Sequence, residues 1–343
     1  MIVRTADRRD SRAIEEYSWR AEEASLYHSY RWCSIIEDCF AHKCHYLLCE
    51  DDGGTICGIL PMVHMKSMMF GNFIVSMPYF NYGGVCADDE EGRDLLIAEA
   101  VRIAGHLGAR YIEFRQEKPL NNGFPKKTSK VSMRLALPSS TDDLWNSFPS
   151  KLRSQIRRPQ KSGMNVRIGR EDELNSFYQV FSVCMRDLGT PVYPKHFFRT
   201  VLERWPDSTW ICSVYRGKDP MASGFLAAFK DKMEIPWAAS LRRYNSLSPN
   251  MLLYWSCLEF SCSQGFRVFD FGRSTAGEST YKFKEQWGAI PYSMYWHYWM
   301  PDGGALPEVN PRNPKYRLAI EMWKRLPLPL TRLLGPRIVR NIP

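Results

Sequence analysis

Hydrophobic positions in the first half of the chain repeat with helical and strand-like spacing. Apolar residues every three or four positions predict helices, and segments in which apolar residues dominate or alternate predict strands. Gly108 follows the longest helical segment and indicates where it ends. The predicted elements are helices Asp10–Ala21 and Tyr30–Phe40, strands His45–Glu50 and Thr55–His64, helix Glu90–Leu107 and strand Tyr111–Arg115.

The second half shows a similar succession. It predicts helices Glu171–Leu188 and Lys195–Trp205, strands Thr209–Tyr215, Met221–Phe229 and Met233–Ala239, helix Pro249–Gln264 and strand Arg267–Phe271. Two such series predict two domains of an α+β fold. We place the first domain at 1–140, the second at 141–305, and a basic amphipathic tail at 306–343.

Length and composition agree with this division. The chain has 343 residues, of which 44% are hydrophobic, so each domain can bury a core of its own. No P-loop, dinucleotide-binding or GxSxG motif occurs, and the triplet Asp270-Phe271-Gly272 lacks the other kinase motifs. No apolar run approaches the roughly 20 residues that span a bilayer. Residues 1–20 carry charges throughout, and we expect a cytoplasmic protein.

Cysteine usage argues against disulfides and against a metal centre. The 10 cysteines are scattered and include no CxxC pair, so we expect them to be reduced. One cluster of potential ligands has a spacing that fits no common zinc pattern, and part of it reads as a buried strand. It comprises Cys39, His42, Cys44, His45 and Cys49.

The formal charge of +9 is concentrated in two places. The first cluster is Lys151, Arg153, Arg157, Arg158, Lys161, Arg167 and Arg170. The second is Arg312, Lys315, Arg317, Lys324, Arg325, Arg332, Arg337 and Arg340, opposed by Glu321 alone. Concentrated positive charge favours a phosphate-bearing partner, and solvated helix faces are the alternative.

The segment FDFGRSTAGESTYKFKEQWGA predicts an anion site. Its first residues read as a buried strand, and Gly272 would free the backbone so that Arg273 and Ser274 lie where the strand ends and a helix starts. Free N–H groups at such a place suit a phosphate or carboxylate. A helix over Glu278–Gln286 would follow, closed by Trp287 and Gly288. A strand, a turn and a helix with solvated lysines is the alternative.

Four separated segments together resemble FemAB-like transferases, in particular the branch associated with bacterial exosortase and exopolysaccharide loci. They are GILPMVHMKSMMFGNFIVSMPYFNYGG, LWNSFPSKLRSQIRRPQKSGMNV, MRDLGTPVYPKHFF and the FDFGRS segment. The similarity extends from about Ser11 to Gly335. One departure is Pro159, where the family continues its basic helix, and we expect that helix to stop or kink near Arg158.

The resemblance implies two tandem GNAT-like (acyl-CoA N-acyltransferase-like) domains, with mixed sheets flanked by helices. It also implies an N-acyltransferase that moves an aminoacyl group from aminoacyl-tRNA to an amine of a cell-envelope precursor, either peptidoglycan or exopolysaccharide. Ordinary GNAT enzymes hold acyl-CoA with a [QR]-x-x-G-x-[GA] loop, whereas this chain reads SLSPN there, and Pro249 has no N–H to donate. No cofactor is expected. An acyl-CoA donor, or binding of nucleic acid or membrane without catalysis, remains an alternative.

Candidate site residues follow from these motifs. Arg273, Lys282 and Lys284 would bind the acceptor pyrophosphate or the oxyanion, and the candidate general bases are Asp270, Glu278 and Tyr281, each of which also has a structural interpretation. Further substrate contacts are predicted for Asn81, Tyr82, Gly83, Arg153, Arg157, Arg158, Arg242, Tyr244, Ser274 and Trp287.

The tail has its own pattern. Tyr316, Ala319, Ile320 and Trp323 recur at helical spacing, and a stretch rich in leucine and proline follows over Leu326–Leu334. With the basic residues of 312–343, this pattern predicts peripheral contact with the inner membrane, where a lipid-linked or phosphorylated glycan precursor would be met. Packing on the second domain is the alternative.

Overall fold

The computed structural model describes residues 1–68, 70–301, 303–304, 306–307 and 314–343, and within 314–316 it describes the backbone alone. The chain forms two compact units. The first comprises Met1–Val131, Ser293–Glu308 and Arg340–Pro343, and the second comprises Ser132–Tyr292 and Val309–Val339. The boundary at 131/132 lies nine residues before the predicted one at 140/141.

Helices and strands alternate along both units. The strands are β1 (Ile2–Thr5), β2 (Lys43–Glu50), β3 (Ile56–Ser67), β4 (Gly71–Val75), β5 (Cys86–Ala87), β6 (Ile112–Gln116), β7 (Lys126–Lys127), β8 (Lys130–Ala136), β9 (Met164–Gly169), β10 (Thr209–Arg216), β11 (Asp219–Phe229), β12 (Lys232–Ser240), β13 (Val268–Thr275), β14 (Ile290–Ser293) and β15 (Tyr295–Trp299). The helices are α1 (Ser11–Arg20), α2 (Arg31–Phe40), α3 (Glu90–His106), α4 (Thr141–Ser147), α5 (Ser150–Lys161), α6 (Glu171–Leu188), α7 (Lys195–Arg204), α8 (Pro249–Ser263), α9 (Ser279–Glu285), α10 (Pro314–Arg325) and α11 (Leu328–Val339).

The sheet of the first unit has the order β1-β2-β3-β4-β6-β15-β7, with β5 beside β3. Strands β1 to β4 are antiparallel neighbours, and β4 and β6 run parallel. Helix α3 begins at Asp89, whose side chain accepts from the N–H of Gly92, and it packs on this sheet through Leu96 and Ala100. The predicted α+β fold with mixed sheets is confirmed.

Strand β15 lies in the first sheet, although the sequence analysis placed its residues in the second domain. It pairs with β6 along its whole length, and the hydroxyl of Tyr298 donates to Glu113 at 2.8 Å. A pairing between residues so distant in sequence leaves no trace in local hydrophobic spacing, so the pattern could not indicate it.

The sheet of the second unit has the order β14-β8-β13-β12-β11-β10-β9. Helices α6 and α8 both pack against strands β10 to β12. The core next to α6 and α7 is aromatic, since Phe198 makes edge contacts with Phe177 at 4.9 Å and with Trp237 at 5.1 Å between ring centroids. Such contacts add to the stabilisation from burial alone.

Helix α5 was expected to stop or kink near Arg158, and it does not stop there but continues to Lys161 with Pro159 in its last turn. Proline costs a helix one backbone hydrogen bond. Here Leu152, Ile156 and Pro159 are buried, and their spacing places them on one face, so burial offsets that loss.

The tail forms helices α10 and α11, and both contact α6. Gly189, which ends α6 at a φ of 79°, lies against Ile320. Gly335 of α11 lies against the backbone of Val192. The predicted packing on the second domain is therefore observed. Arg312 lies outside the described residues, as do the side chains of Lys315 and Tyr316.

Two glycines inside helices provide a matched pair for a stability measurement. A Cβ at Gly335 would lie 2.9 Å from the backbone N of Val192, whereas nothing lies within 4 Å of a Cβ at Gly105. We expect Gly335→Ala to destabilise the protein by about 1–3 kcal/mol through overpacking. Gly105→Ala should stabilise α3 by about 0.5–1 kcal/mol. Thermal or urea unfolding checks both, and equal shifts in the same direction would contradict the observed packing.

Candidate active site

The candidate site of the second unit lies where strands β12 and β13 separate. The two strands run parallel and pair over residues 232–234 and 268–270. Beyond these residues, β12 and β13 are not paired with each other over the described residues 235–240 and 271–275. A cavity of about 360 Å³ opens beside this end of β12. It is lined by Cys184, Ala238, Ala239, Ser240, Arg242, Asn245, Asn250, Leu253, Tyr254, Ser279, Thr280, Phe283 and Lys284.

Lys284 is the buried charge of this cavity, with a relative exposure of 7%. Its Nζ donates to the carbonyl oxygens of Gly272 and Arg273, both at 3.0 Å. An ammonium group has three donors, and the third has no partner among the described residues. Burial, partly opposed by the charges of Asp270 and Glu234, lowers the pKa of Lys284 to about 8.

The backbone around Gly272 explains how Lys284 finds these carbonyls. Gly272 has a φ of 76°, in the left-handed region that glycine adopts without strain. The buried carboxylate of Asp270 accepts from the N–H of Gly272 at 2.8 Å, from Ser132 Oγ at 2.6 Å and from Arg134 Nε at 3.1 Å. Asp270 therefore fixes the conformation of the strand. Three hydrogen-bond donors hold its carboxylate in place, which matches the structural interpretation of this residue.

Arg273 and Ser274 differ in position from the prediction. Both lie within β13, which continues to Thr275, and the turn before α9 comes at Gly277 with a φ of 80°. They are therefore not at a helix N-terminus, because the left-handed backbone of Gly272 is accommodated inside the strand. Arg273 is exposed and Ser274 is buried. The hydroxyl of Ser274 has no hydrogen-bond partner within the described part of the chain.

Helix α9 has the predicted position to within one residue, and it separates its polar side chains. Lys282 and Glu278 are exposed, and Tyr281 is half-buried. Lys284 points to the cavity side together with Phe283, whose ring meets Tyr254 at 5.0 Å between centroids. Of the candidates on this helix, the structure brings Lys284 to the cavity wall.

Trp287 is core, not surface. It has an exposure of 1%, and its ring lies 5.6 Å from Phe148 and 6.4 Å from Tyr254 between centroids. It supports the aromatic wall of the cavity from behind. The indole ring of Trp287 therefore helps to hold Tyr254 in the cavity wall.

The connection between β12 and α8 contributes Arg242 and Asn245 to the cavity. It is a 3-10 helix over Arg242–Leu247, followed by Ser248 at a φ of 57° and Pro249 in the first turn of α8. Tyr244 stacks under the guanidinium of Arg243 at 4.8 Å and is not part of the cavity lining. The lining within the described residues holds two cationic side chains and no carboxylate, so the cavity favours an anionic or uncharged ligand.

Helix α5 forms a second, open groove of about 520 Å³. It is lined by Ser154, Gln155, Arg157, Arg158, Lys161 and Ser162. Arg157 lies over the ring of Trp145 at 5.1 Å. Arg153 belongs to the same helix but not to the groove lining. Three cations along one groove suit a phosphate chain.

In the first unit, the predicted substrate loop is largely buried. Tyr82 and Gly83 are buried, and Asn81 is half-buried. The guanidinium of Arg115 donates to the carbonyls of Met77 and Phe80 and so holds the loop against the sheet. Arg115 also pairs with Glu113 at 2.7 Å. The loop thus fills the region next to the parallel pair β4 and β6.

Several cavity residues carried no signal in the sequence. Cys184, Ser240 and Thr280 have small side chains that pattern reasoning does not distinguish from ordinary helix or strand positions. Asn250 belongs to the SLSPN segment, which was noted because it lacks a glycine-rich loop, but no role was predicted for Asn250 itself. No group of three or more potential metal ligands is assembled among the described residues.

Comparison with known proteins identifies the fold. Residues 146–284 match the family profile of the Acetyltransferase (GNAT) domain. The structure of FemX has 12% identity and a TM-score of 0.65, covering 86% of this chain and 97% of FemX. A tandem GNAT protein from the clavulanic acid biosynthesis pathway has 10% identity and a TM-score of 0.53, covering 89% of this chain and 99% of its own. Residues 146–284 are therefore a GNAT acyltransferase domain, and the chain has the fold of tandem GNAT proteins.

A further structural relative of this acyltransferase is the C-terminal domain of a putative lysylphosphatidylglycerol synthetase from Agrobacterium fabrum. It has 13% identity and a TM-score of 0.58, covering 86% of this chain and 93% of that domain. At such identities the likeness shows the tandem GNAT fold. No curated protein sequence matches the chain significantly.

The buried ammonium group predicts an unusual pH dependence of stability. The pKa of Lys284 is lowered from 10.5 to about 8 on folding, so between these values the unfolded chain binds more protons and stability rises with pH. From pH 7 to pH 10.5 we expect the parent to gain up to about 3 kcal/mol of stability relative to Lys284→Met, which has no ammonium group to titrate. Loss of the hydrogen bonds to the carbonyls of Gly272 and Arg273 adds a cost to the variant that does not depend on pH. Unfolding of both proteins at several pH values measures this gain, and a constant difference would contradict the assigned burial.

Proposed function

We propose that this acyltransferase is a FemAB-type enzyme that transfers an aminoacyl group from aminoacyl-tRNA to an amine of a cell-envelope precursor. The acceptor would be a peptidoglycan or exopolysaccharide precursor, phosphorylated or lipid-linked. The observation that carries the proposal is the Lys284 ammonium group at the cavity wall, with one donor left unpartnered. The structural likeness to FemX and to a synthetase named for a lysyl-carrying lipid supports an aminoacyl donor.

The reaction needs little more than positioning and charge stabilisation. The acceptor amine attacks the ester carbonyl, a C–N bond forms, and negative charge develops on the carbonyl oxygen. A preorganised donor aimed at that oxygen lowers the barrier, and the free N–H of Lys284 would supply it. The C–O bond of the ester then breaks, and the proton released by the amine passes to the ribose oxygen that leaves.

The cavity lining contains no carboxylate and no histidine within the described residues. The proposed mechanism therefore assigns proton transfer to the two substrates and not to a dedicated base. Neither Glu278, which precedes α9, nor Tyr281, which lies on α9, belongs to the lining.

The groove on α5 is the proposed place for tRNA phosphates. Arg157, Arg158 and Lys161 line it within a single helix. A duplex stem presents phosphates at regular intervals, and a row of cations matches them without reading sequence.

The alternative donor is acyl-CoA, which the match to the GNAT domain profile favours. The 3-10 helix and Pro249 disfavour it, because they occupy the place at which backbone N–H groups would have to face a pyrophosphate. Assaying charged tRNA and a panel of acyl-CoAs with amino-sugar precursors, and identifying products by mass, decides between the donors.

Exchanging two lysines of α9 tests the catalytic assignment. Lys284→Met should lower kcat by about 10²–10³-fold, as expected for loss of one oxyanion donor. Lys282→Met, on the exposed side of the same helix, should retain near-parental turnover. In the parent, kcat should fall as pH rises through about 8, because Lys284 loses its proton there. Lys284→Arg, which stays charged, should lack that fall. Full activity of Lys284→Met would remove the proposed role.

The groove is tested by the salt dependence of tRNA binding. The double variant Arg157→Ser and Arg158→Ser should bind charged tRNA more weakly. The slope of its plot of log Kd against log salt should be smaller, by the amount expected for the loss of about one to two phosphate contacts. Arg216→Ser with Lys218→Ser, in the β10–β11 turn, provides a control of equal charge. An equal change in both double variants would show a general charge effect and no specific groove.

A further inference from the structure

Helix α11 buries one face and exposes an apolar one. Thr331, Gly335 and Val339 are buried at intervals of four residues. Leu330, Leu333 and Leu334 occupy the opposite side and are exposed, Leu333 to 61%. In most globular proteins the leucines of a surface helix face the core, and several leucines exposed together on one face indicate an interaction surface.

Helix α10 shows the same division. Trp323 is buried, and Leu318 and Met322, one turn apart, are exposed to 68% and 62%. Five of the large exposed hydrophobic side chains of the described residues thus belong to two consecutive helices of the tail. We call Leu318, Met322, Leu330, Leu333 and Leu334, with the exposed Arg325 and Arg337, the C-terminal surface.

The charges around these side chains are almost all positive. Between residues 317 and 343 the acidic residue is Glu321, which pairs with Lys324 at 2.7 Å. The basic residues of the same stretch are Arg317, Lys324, Arg325, Arg332, Arg337 and Arg340. Apolar and cationic side chains therefore alternate on the same two helices.

Contacts with α6 and with the segment after it keep this surface turned outward. The N–H at Arg332 Nε donates to Ser182 Oγ at 3.0 Å, and the guanidinium lies 5.5 Å from the ring centre of Tyr178. Gly335 touches the backbone of Val192 so closely that no side chain fits between them. Because these contacts fix the rotation of α11 about its axis, the leucines cannot turn towards the core.

We propose that the C-terminal surface docks on a leaflet of anionic phospholipid. The leucines and Met322 would enter the boundary between headgroups and acyl chains, while the arginines attract lipid phosphates. The combination of apolar and basic side chains fits this occupant, because anionic headgroups complement the positive charge of the surface and the acyl-chain boundary accommodates its apolar side chains. No helix among the described residues is long and apolar enough to cross a bilayer, so the docking would be peripheral. The proposal does not depend on the identity of the acyl donor.

Substitutions on the full chain test the proposed membrane docking better than truncation does. Removing Leu326–Pro343 would also remove the carbonyl of Arg340, which accepts from Tyr79 at 2.7 Å, and the packing of α11. We therefore choose the full chain carrying Leu330→Ser, Leu333→Ser and Leu334→Ser. On vesicles of phosphatidylglycerol with phosphatidylcholine, the parent should co-sediment at low salt, and this variant should partition at least about tenfold less. A second variant, Arg325→Ser with Arg337→Ser, should lose the response to phosphatidylglycerol.

Matched controls separate docking from general stickiness. Leu95→Ser, Ile168→Ser and Ile290→Ser together remove three exposed apolar side chains elsewhere, and this control should bind vesicles as the parent does. Inorganic phosphate at the same ionic strength as chloride should not release the parent more than chloride does, which distinguishes a lipid surface from a phosphate site. Equal sedimentation of the parent, the triple leucine variant and this control would overturn the proposal. So would a dimer in solution that the triple leucine variant abolishes, because the surface would then be covered by a second copy.

Discussion

The early separation of β12 and β13 is the constraint on which the second unit depends. Three paired residues on each strand join them, and beyond that point β12 and β13 no longer satisfy each other's backbone groups. Carbonyl groups of Gly272 and Arg273 need donors there, because a buried unpaired carbonyl is costly. Lys284 supplies them, and its charge is thereby held at a wall of the cavity. A gap in the sheet and a buried cation are two aspects of one arrangement.

Each unit contains a parallel pair of strands, β4 and β6 in the first and β12 and β13 in the second. The surroundings of the two pairs differ. In the first, Arg115 crosses the region beside β4 and β6 and ties down the loop from Ser76 to Gly84. In the second, the corresponding place beside β12 remains a cavity. The cavity beside β12 is lined by residues of the second unit alone.

Local spacing predicted the order of the elements well, because helix and strand periods are properties of short segments. It could not predict the extent of β13, since Gly272 reads equally as a turn and as a left-handed residue within a strand. Local spacing also could not distinguish Lys284 from Lys282, because the two lysines are only two positions apart on the same helix. In the structure, Lys284 contacts backbone carbonyls, whereas Lys282 is exposed to water. Their separation depends on contacts with β13, which lies outside the helix.

The insertion of β15 into the first sheet has a consequence for the order of folding. The order β6-β15-β7 means that residues near 295–299 separate two strands that precede them by more than 160 positions. During synthesis, the sheet of the first unit cannot be completed before residues 295–299 have left the ribosome. The second unit, which is mostly continuous in sequence, can collapse earlier. The sheet of the first unit is thus the later of the two sheets to be completed.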